Sequence, residues 1–412
     1  TCPALAGGSE VQFLPGALFM INSSRLAIAN QNIRYYVFIR IFAKRVFLPL
    51  TAIYFMDRSG FSLIQIGYLS AFFSAVQLFA EVPTGYFADR VGRLVSLRIG
   101  ALLALSATLV YVVTTNQSFI VLGVLCEALG YSFMGGAGEA LIHDSLVVKN
   151  KTQHYTKVMS RTMSISLLAN AVLVGLVPLT YQFDHRYPFV IGAIAYLLLF
   201  LFSLKLHELF PPAPRASQVF PPTWEFFRTH KSMLAFGLTF GVVSALYTSP
   251  VDTFNVALKA YGTPAATIGI IYGAASIFGA LLGPLVHLLK KIRITTYTLF
   301  DSLLIAGVYF AASTGNARLL WPTMIISIGF WRYRRILYQD YTLQLYPNSY
   351  KATLVSALNN LEQVNAIWLP LVITAAVAHT SYSIGFVLLG IFALSLTPLF
   401  YFATAKFFRK LL

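Results

Sequence analysis

Cysteine and charge are both scarce in this chain. Two cysteines among 412 residues, Cys2 near the start and Cys126 inside an apolar run, give no disulfide framework. Only 11% of the residues are charged, against about 25% in a soluble domain, which excludes a soluble globular protein. Acidic residues are the rarest, 14 against 30 Lys and Arg, for a formal net charge of +16. In a soluble chain that excess would point to nucleic acid. Here the basic residues sit mostly in short segments between apolar runs, where they set membrane orientation, so no nucleic-acid partner is expected. Metal-ligand spacing, a nucleophile–base pair and a phosphate-cradling glycine loop are also missing. No enzymatic chemistry, cofactor or metal site is therefore expected.

What is present is apolar length. Hydrophobic residues make up 57% of the chain and the mean hydropathy is +0.71. A membrane-spanning helix needs roughly 20 mostly apolar residues. Runs of that kind occur at 33–55, 62–86, 97–115, 118–146, 158–181, 188–206, 232–256, 265–289, 294–313, 319–345, 352–377 and 383–405. They are continuous rather than alternating, so they read as helices and not as barrel strands. The expectation is an all-α integral membrane protein with twelve transmembrane helices. Residues 1–32 are set aside as a tail: the chain starts with Thr1, residues 1–19 need not be native, and Met20 is a candidate start.

Lys and Arg give the orientation. With the N-terminus inside, the inner segments collect Arg90, Arg93, Arg98, Lys149, Lys151, Lys157, Lys290, Lys291, Arg293, Lys406, Arg409 and Lys410. The outer loops hold only Arg58, Arg186, Lys259 and Arg318. That bias puts both termini in the cytoplasm. A proline-rich inner connection, residues 207–231, divides the chain into six-helix halves at 33–206 and 232–405, and residues 406–412 form a basic tail.

Between the second and third runs stands "GYFADRVGRLVSLRIG". Gly85, Asp89, Arg90, Gly92 and Arg93 follow the pattern G-x3-D-[RK]-x-G-[RK]. This resembles the signature loop of the major facilitator superfamily, and the resemblance covers about residues 33 to 405. Glycines allow a tight turn and close helix approach, and Arg93 can pair with an acid on a neighbouring helix end, for which Asp144 is the candidate. The resemblance implies that this cluster locks the outward-facing state. A faded echo, "GPLVHLLKKIR" from Gly283, carries His287 where the first half has Asp89, with Lys290 and Lys291 in place of Gly92 and Arg93. Two further features of the family are missing. The fourth run has Glu127 where many proton-coupled members carry an arginine, and the fifth lacks the Gly-Pro-x-x-Gly-Gly of drug antiporters.

The resemblance also implies that helices 1, 4, 7 and 10 line a central cavity, and intramembrane charges fall on three of them. In "IGFWRYRRILYQD", Arg332, Arg335 and Gln339 share one helical face, with Trp331 and Tyr338 beside it. Arg334 points the other way with Tyr341 and reads as structural. Tyr36, Arg40, Lys44 and Thr51 share a face of the first run, and Glu127, Tyr131, Met134 and Gly138 a face of the fourth. The seventh offers Ser244 and Tyr247, with Asp252 toward the outside. Glu127 and either Asp340 or Glu139 would neutralise part of this charge. An unpaired buried charge is costly, so the surplus points to an anionic ligand.

The expected substrate site is Tyr36, Arg40, Lys44, Glu127, Tyr131, Tyr247, Trp331, Arg332, Arg335, Tyr338 and Gln339, with Glu127 the candidate for proton coupling. The expected function is secondary transport of a small organic anion, a carboxylate or phosphorylated metabolite, by a monomer. A bacterial inner (plasma) membrane is the expected location. Two alternatives stay open: an exporter of lipophilic or cationic compounds, and a non-transporting sensor or assembly protein with the same fold.

Overall fold

The structure, a computed structural model, describes residues 23–135, 137–210, 231–282, 292–344 and 348–409. Within some of the helices, notably at Arg332, Arg335, Gln339 and Asp340, it describes the backbone and not the side chain. The described residues form fifteen α-helices and no strand. The first eight are α1 (Ser23–Phe42), α2 (Thr51–Ser59), α3 (Leu63–Val91), α4 (Arg93–Val113), α5 (Gln117–Met134), α6 (Ala137–Val148), α7 (Tyr155–Leu176) and α8 (Tyr187–Ser203). The rest are α9 (Lys231–Thr248), α10 (Val251–Ala260), α11 (Ala265–Leu282), α12 (Ile294–Ser313), α13 (Ala317–Gln344), α14 (Asn348–His379) and α15 (Tyr382–Phe407).

Nine helical segments among the described residues are long and apolar enough to cross a membrane. The segments that fall short do so for plain reasons. The apolar helix α8 has 17 residues. The helix α1 carries Arg25, Arg34 and Arg40, and α13 carries Arg318 and the three arginines at 332, 334 and 335. Of the stretch 207–231 expected as a linker, residues 207–210 and Lys231, the first residue of α9, are described, and Gly283, His287, Lys290 and Lys291 lie outside the described residues.

Two expectations about the first helix need correction. It starts at Ser23, inside the stretch set aside as a tail, and it is not continuous. Residues 43–47 leave the helix, and Pro49 sits in a short 3-10 turn, Leu48–Leu50, before α2 begins. Proline lacks the N–H that a helix interior requires. A second break follows Met134 at Gly135, between α5 and α6. A third falls at Ser249 and Pro250, between α9 and α10. At membrane depth, irregular backbone is tolerated only where protein buries it or where it lines a cavity.

Three helix starts carry side-chain caps. Ser62 and Gln65 form a reciprocal capping box at the start of α3. Asn116 accepts from the Ser118 N–H at the start of α5, and Ser381 from the Ile384 N–H at the start of α15. A single residue, Gly92, joins α3 to α4 with φ of +129°, a conformation that side chains disfavour. A Cβ there would also sit 2.8 Å from the Glu208 carboxylate. That carboxylate accepts from the Leu94 N–H at 2.9 Å, capping the positive end of α4.

The helices assemble as two bundles. In the first, α4 packs on α5 and α8, α3 on α5, and α1 on α6, α7 and α8. In the second, α12 packs on α15, α11 on α13, and α9 on α14 and α15. Two seams join the bundles, α3 against α14 and α7 against α11. Both are lined by small residues, as close approach of membrane helices requires. A Cβ on Gly67 of α3 would meet the Thr374 hydroxyl of α14, and Gly175 of α7 lies against Gly273 of α11. One end of the seam is closed further. There α2 packs on α10, and the turns Leu48–Leu50 and Val177–Gln182 pack on α11. At this same end Lys259 pairs with Asp57 across the bundles, and Tyr181 donates to the other Asp57 oxygen at 3.0 Å.

Candidate functional site: a charged cavity between two helix bundles

A cavity of about 860 Å³ lies between the bundles. Two of the helix breaks supply its wall: Lys44 and Arg45 come from the first, Ser249 from the third. Backbone released from helical bonding lets these side chains approach the cavity from positions a straight helix would not give.

The first bundle contributes an ion pair. Arg45 donates from Nε to Glu127 Oε1 at 2.6 Å and from Nη2 to Oε2 at 2.8 Å. This two-pronged contact is the strong form of the pair. Tyr111 donates to Glu127 Oε2 at 3.0 Å, so the fully buried carboxylate has three donors. The guanidinium lies 4.3 Å from the Phe73 ring centre and 5.6 Å from that of Tyr131. The Tyr131 hydroxyl meets that of Tyr196 at 2.8 Å. Arg40, also on the wall, approaches Glu139 at 3.8 Å, a loose contact between partly exposed side chains. Lys44 is exposed to the cavity.

The second bundle contributes Asp252, from the first turn of α10. Its Oδ2 accepts from the Ser70 hydroxyl on α3 at 2.9 Å, a hydrogen bond between the bundles. Tyr247, Trp331 and Tyr272 complete this side. Three cationic side chains, Arg40, Lys44 and Arg45, thus share the wall with two carboxylates, Glu127 and Asp252.

Of the residues expected at the site, the cavity brings together Arg40, Lys44, Glu127, Tyr131, Tyr247 and Trp331. The side chains of Arg332, Arg335 and Gln339 lie outside the described residues. Two expected residues are elsewhere. Tyr36 is buried against Gly138, where an added Cβ would come within 2.4 Å of its ring. Tyr338 is fully buried among Phe236, Phe240, Tyr297 and Phe400. It donates to Asp301 Oδ2 at 3.2 Å. Periodicity groups residues on a face but does not say which face meets water. Asp252, expected toward the outer end of the seventh run, lines the wall just past the break at Pro250.

Arg334 is buried and paired within the second bundle. Its Nε donates to Asp301 Oδ2 at 2.7 Å and Nη1 donates to the Ser244 hydroxyl. Tyr247 donates to Asp301 Oδ1 at 2.9 Å. Asp301 was not among the expected partners of any arginine. A carboxylate in an apolar run was the available signal. In the signature loop, Arg93 Nη1 lies 2.5 Å from Asp144 Oδ2, a pair within the first bundle.

Two bundles of apolar helices, small-residue seams between them and a charged cavity at broken helices define a multi-pass membrane transporter. The chain belongs to the Major Facilitator Superfamily, whose family-wide sequence profile matches residues 36–370. It is similar to the uncharacterized MFS-type transporter YxaM of Bacillus subtilis (strain 168), at 21% identity over 374 residues covering 86% of this chain and 91% of that one. Among solved structures it resembles the nucleoside transporter NupG, with a TM-score of 0.77 and 14% identity over 91% of this chain and 98% of that one. An auto-inhibited POT family peptide transporter gives a TM-score of 0.74 and 13% identity, covering 92% of this chain and 96% of that one. At these identities the solved structures share the fold alone.

Proposed function

We propose that the protein carries a small organic anion by alternating access, the two bundles rocking about the cavity. The observation that supports this most is the placement of Arg40 and Lys44 on the cavity wall while Arg45 is already engaged by Glu127. Two further cationic groups on the same wall, Arg40 in its loose contact with Glu139 and Lys44, suit a carboxylate or a phosphorylated metabolite. In this reading the chain makes twelve spans, six to a bundle, with both termini in the cytoplasm of a bacterial cell and the protein a monomer in the plasma membrane. The end closed by Asp57 and Lys259 then faces outward and the cavity opens inward. Gly85, Asp89, Arg90, Gly92 and Arg93, with Asp144, form the gate that holds the opposite, outward-facing state.

Glu127 is the candidate proton carrier. A proton on it would release Arg45 toward the solute, which would couple proton movement to binding. The test is uptake of radiolabelled carboxylates and sugar phosphates into proteoliposomes, with thermal shift as a first screen. Stabilisation by anions, weakened about ten- to a hundredfold in affinity by Arg40→Gln or Lys44→Gln, is the expected result. Stabilisation by lipophilic cations alone would favour an exporter that uses the apolar wall of Phe55, Leu69, Phe73 and Trp331.

A further inference from the structure

We propose that Asp252 anchors a cationic nitrogen of the carried solute, so that the substrate is a small amino carboxylate whose acid group lies at Arg40 and Lys44. This rests on the anion reading of the same cavity and narrows it.

The argument begins with the two oxygens of one carboxylate. Asp252 Oδ2 is bonded to Ser70 of the other bundle. Asp252 Oδ1 is buried and takes no hydrogen bond from any described residue. A buried carboxylate with a single hydroxyl donor is poorly compensated, because removing a charge from water costs several kcal/mol unless a partner replaces the hydration. The arginine that acts on it does not supply it. Arg45 and Glu127 both act electrostatically on Asp252, but they hold each other in a two-pronged pair whose charges cancel.

Two further wall hydroxyls, Thr51 Oγ1 and Ser249 Oγ, are also buried without a hydrogen-bond partner among the described residues. A primary ammonium has three donors. Asp252 Oδ1, Thr51 Oγ1 and Ser249 Oγ offer three acceptors around the same cavity. A metal ion suits this place less well, since no cluster of three or more His, Cys, Asp or Glu able to hold one occurs among the described residues. The hydroxyls and one carboxylate match an organic cation.

The arrangement also gives the nitrogen a mechanical role. An ammonium at Oδ1 keeps Asp252 ionised, and an ionised Asp252 is the stronger acceptor for the Ser70 hydroxyl. A solute held at Asp252 from the second bundle and at Arg40 and Lys44 from the first therefore favours the state in which the bundles are joined at this level. A plain carboxylate held at Arg40 and Lys44 lacks the contact to Asp252.

The test uses the full chain purified in detergent, with titration calorimetry against three matched probe series: ω-amino carboxylates of two to six carbons, the same carboxylates without nitrogen, and the ω-amino amides without an acid. The wild type is expected to bind one length of amino carboxylate at least tenfold more tightly than its nitrogen-free counterpart. Asp252→Asn, which preserves shape and the Ser70 contact, is expected to erase that preference, so that the amino carboxylate binds no more tightly than its nitrogen-free counterpart. Arg40→Gln should weaken both series.

Equal affinity of the wild type for amino and nitrogen-free carboxylates would overturn the Asp252 assignment and leave the anion reading standing. Binding of amino amides as tightly as amino carboxylates, lost in Asp252→Asn, would keep the anchor and overturn the anion reading. Binding of none of the three series would overturn both. The wild-type comparison decides by itself if Asp252→Asn does not fold.

Discussion

Among the described residues each bundle holds an arginine locked to a buried carboxylate, and the two pairs differ in what surrounds them. In the second bundle the Arg334 and Asp301 side chains are 1% and 0% exposed. The guanidinium lies among the rings of Phe240, Tyr338 and Tyr247 at 4.6, 5.3 and 5.4 Å. Asp301 also accepts from Tyr247 and Tyr338. In the first bundle Glu127 is as deeply buried, but the Arg45 side chain is 21% exposed and lies on the cavity wall. The chemistry is the same and the consequence is opposite. A pair sealed within one bundle behaves as part of a rigid body. A pair with one face on a cavity can trade its internal partner for a solute as the cycle proceeds.

The largest expected effect tests the sealed pair. Removing one partner from a buried ion pair leaves an uncompensated charge and costs about 3–5 kcal/mol. Arg334→Gln or Asp301→Asn should therefore collapse the folded, monodisperse yield in detergent. Replacing both residues with leucine should restore most of it, because a buried pair contributes little net stability over an apolar substitute. Folded single variants at wild-type yield would show that the second pair is not structural and would erase the contrast.

Glu127→Gln comes next. The neutral amide keeps a hydrogen bond to Arg45, and the guanidinium retains access to the cavity, so a smaller loss of about 1–3 kcal/mol is expected. The variant should fold, lose pH-driven accumulation of substrate and retain exchange of substrate for substrate in proteoliposomes. A collapse as severe as that of Asp301→Asn would make both pairs structural. Unchanged pH dependence would remove Glu127 from coupling.

The sequence alone conveyed the all-helical, apolar character well and the side-chain partners poorly, for one physical reason. Apolar run length is a local quantity, so the helices found lie close to the runs expected. The signature loop also lay where its glycines and charges indicated. Which carboxylate meets which arginine depends on packing between helices distant in sequence. Asp301 was therefore missed although it is held by Arg334, and Tyr338 was assigned to the wall although it is sealed beside them. The helix breaks were the other blind point. Pro49, Gly135 and Pro250 were visible as residues, but their effect on the aim of Lys44, Arg45 and Asp252 depends on the tertiary cavity they serve.

The pair in the signature loop, Arg93 with Asp144, sharpens the comparison from outside the cavity. Its side chains are 20% and 25% exposed, so its worth to stability is at most about 1 kcal/mol. Arg93→Ala and Asp89→Asn should leave folded yield near wild type and reduce transport, measured as initial uptake rate. Wild-type rates in both variants would leave the loop a membrane anchor rather than a gate.

The smallest expected effect belongs to a fourth pair, Asp57 with Lys259, the only ion pair among those between described residues that crosses from one bundle to the other. Its side chains are 25% and 40% exposed, and such pairs contribute about 0.2–1 kcal/mol. It joins bodies that must separate, so its loss should appear as a change in population rather than in folding. An energy of that size shifts a two-state equilibrium about 1.5- to 5-fold. Lys259→Ala should therefore raise labelling of a cysteine placed at Thr248, on the cavity wall, by an impermeant maleimide added on the outer side. The background would carry Cys126→Ser and Cys2→Ser so that the reporter is the only thiol. Melting temperature should barely move. The exchange Asp57→Lys with Lys259→Asp should return labelling toward the starting level, and raised salt should mimic the single variant, because partly exposed charges are screened over about 10 Å at 0.1 M. Labelling that ignores both the substitution and the salt would show that Tyr181 and the apolar packing of α2 on α10 hold this end closed without the charges.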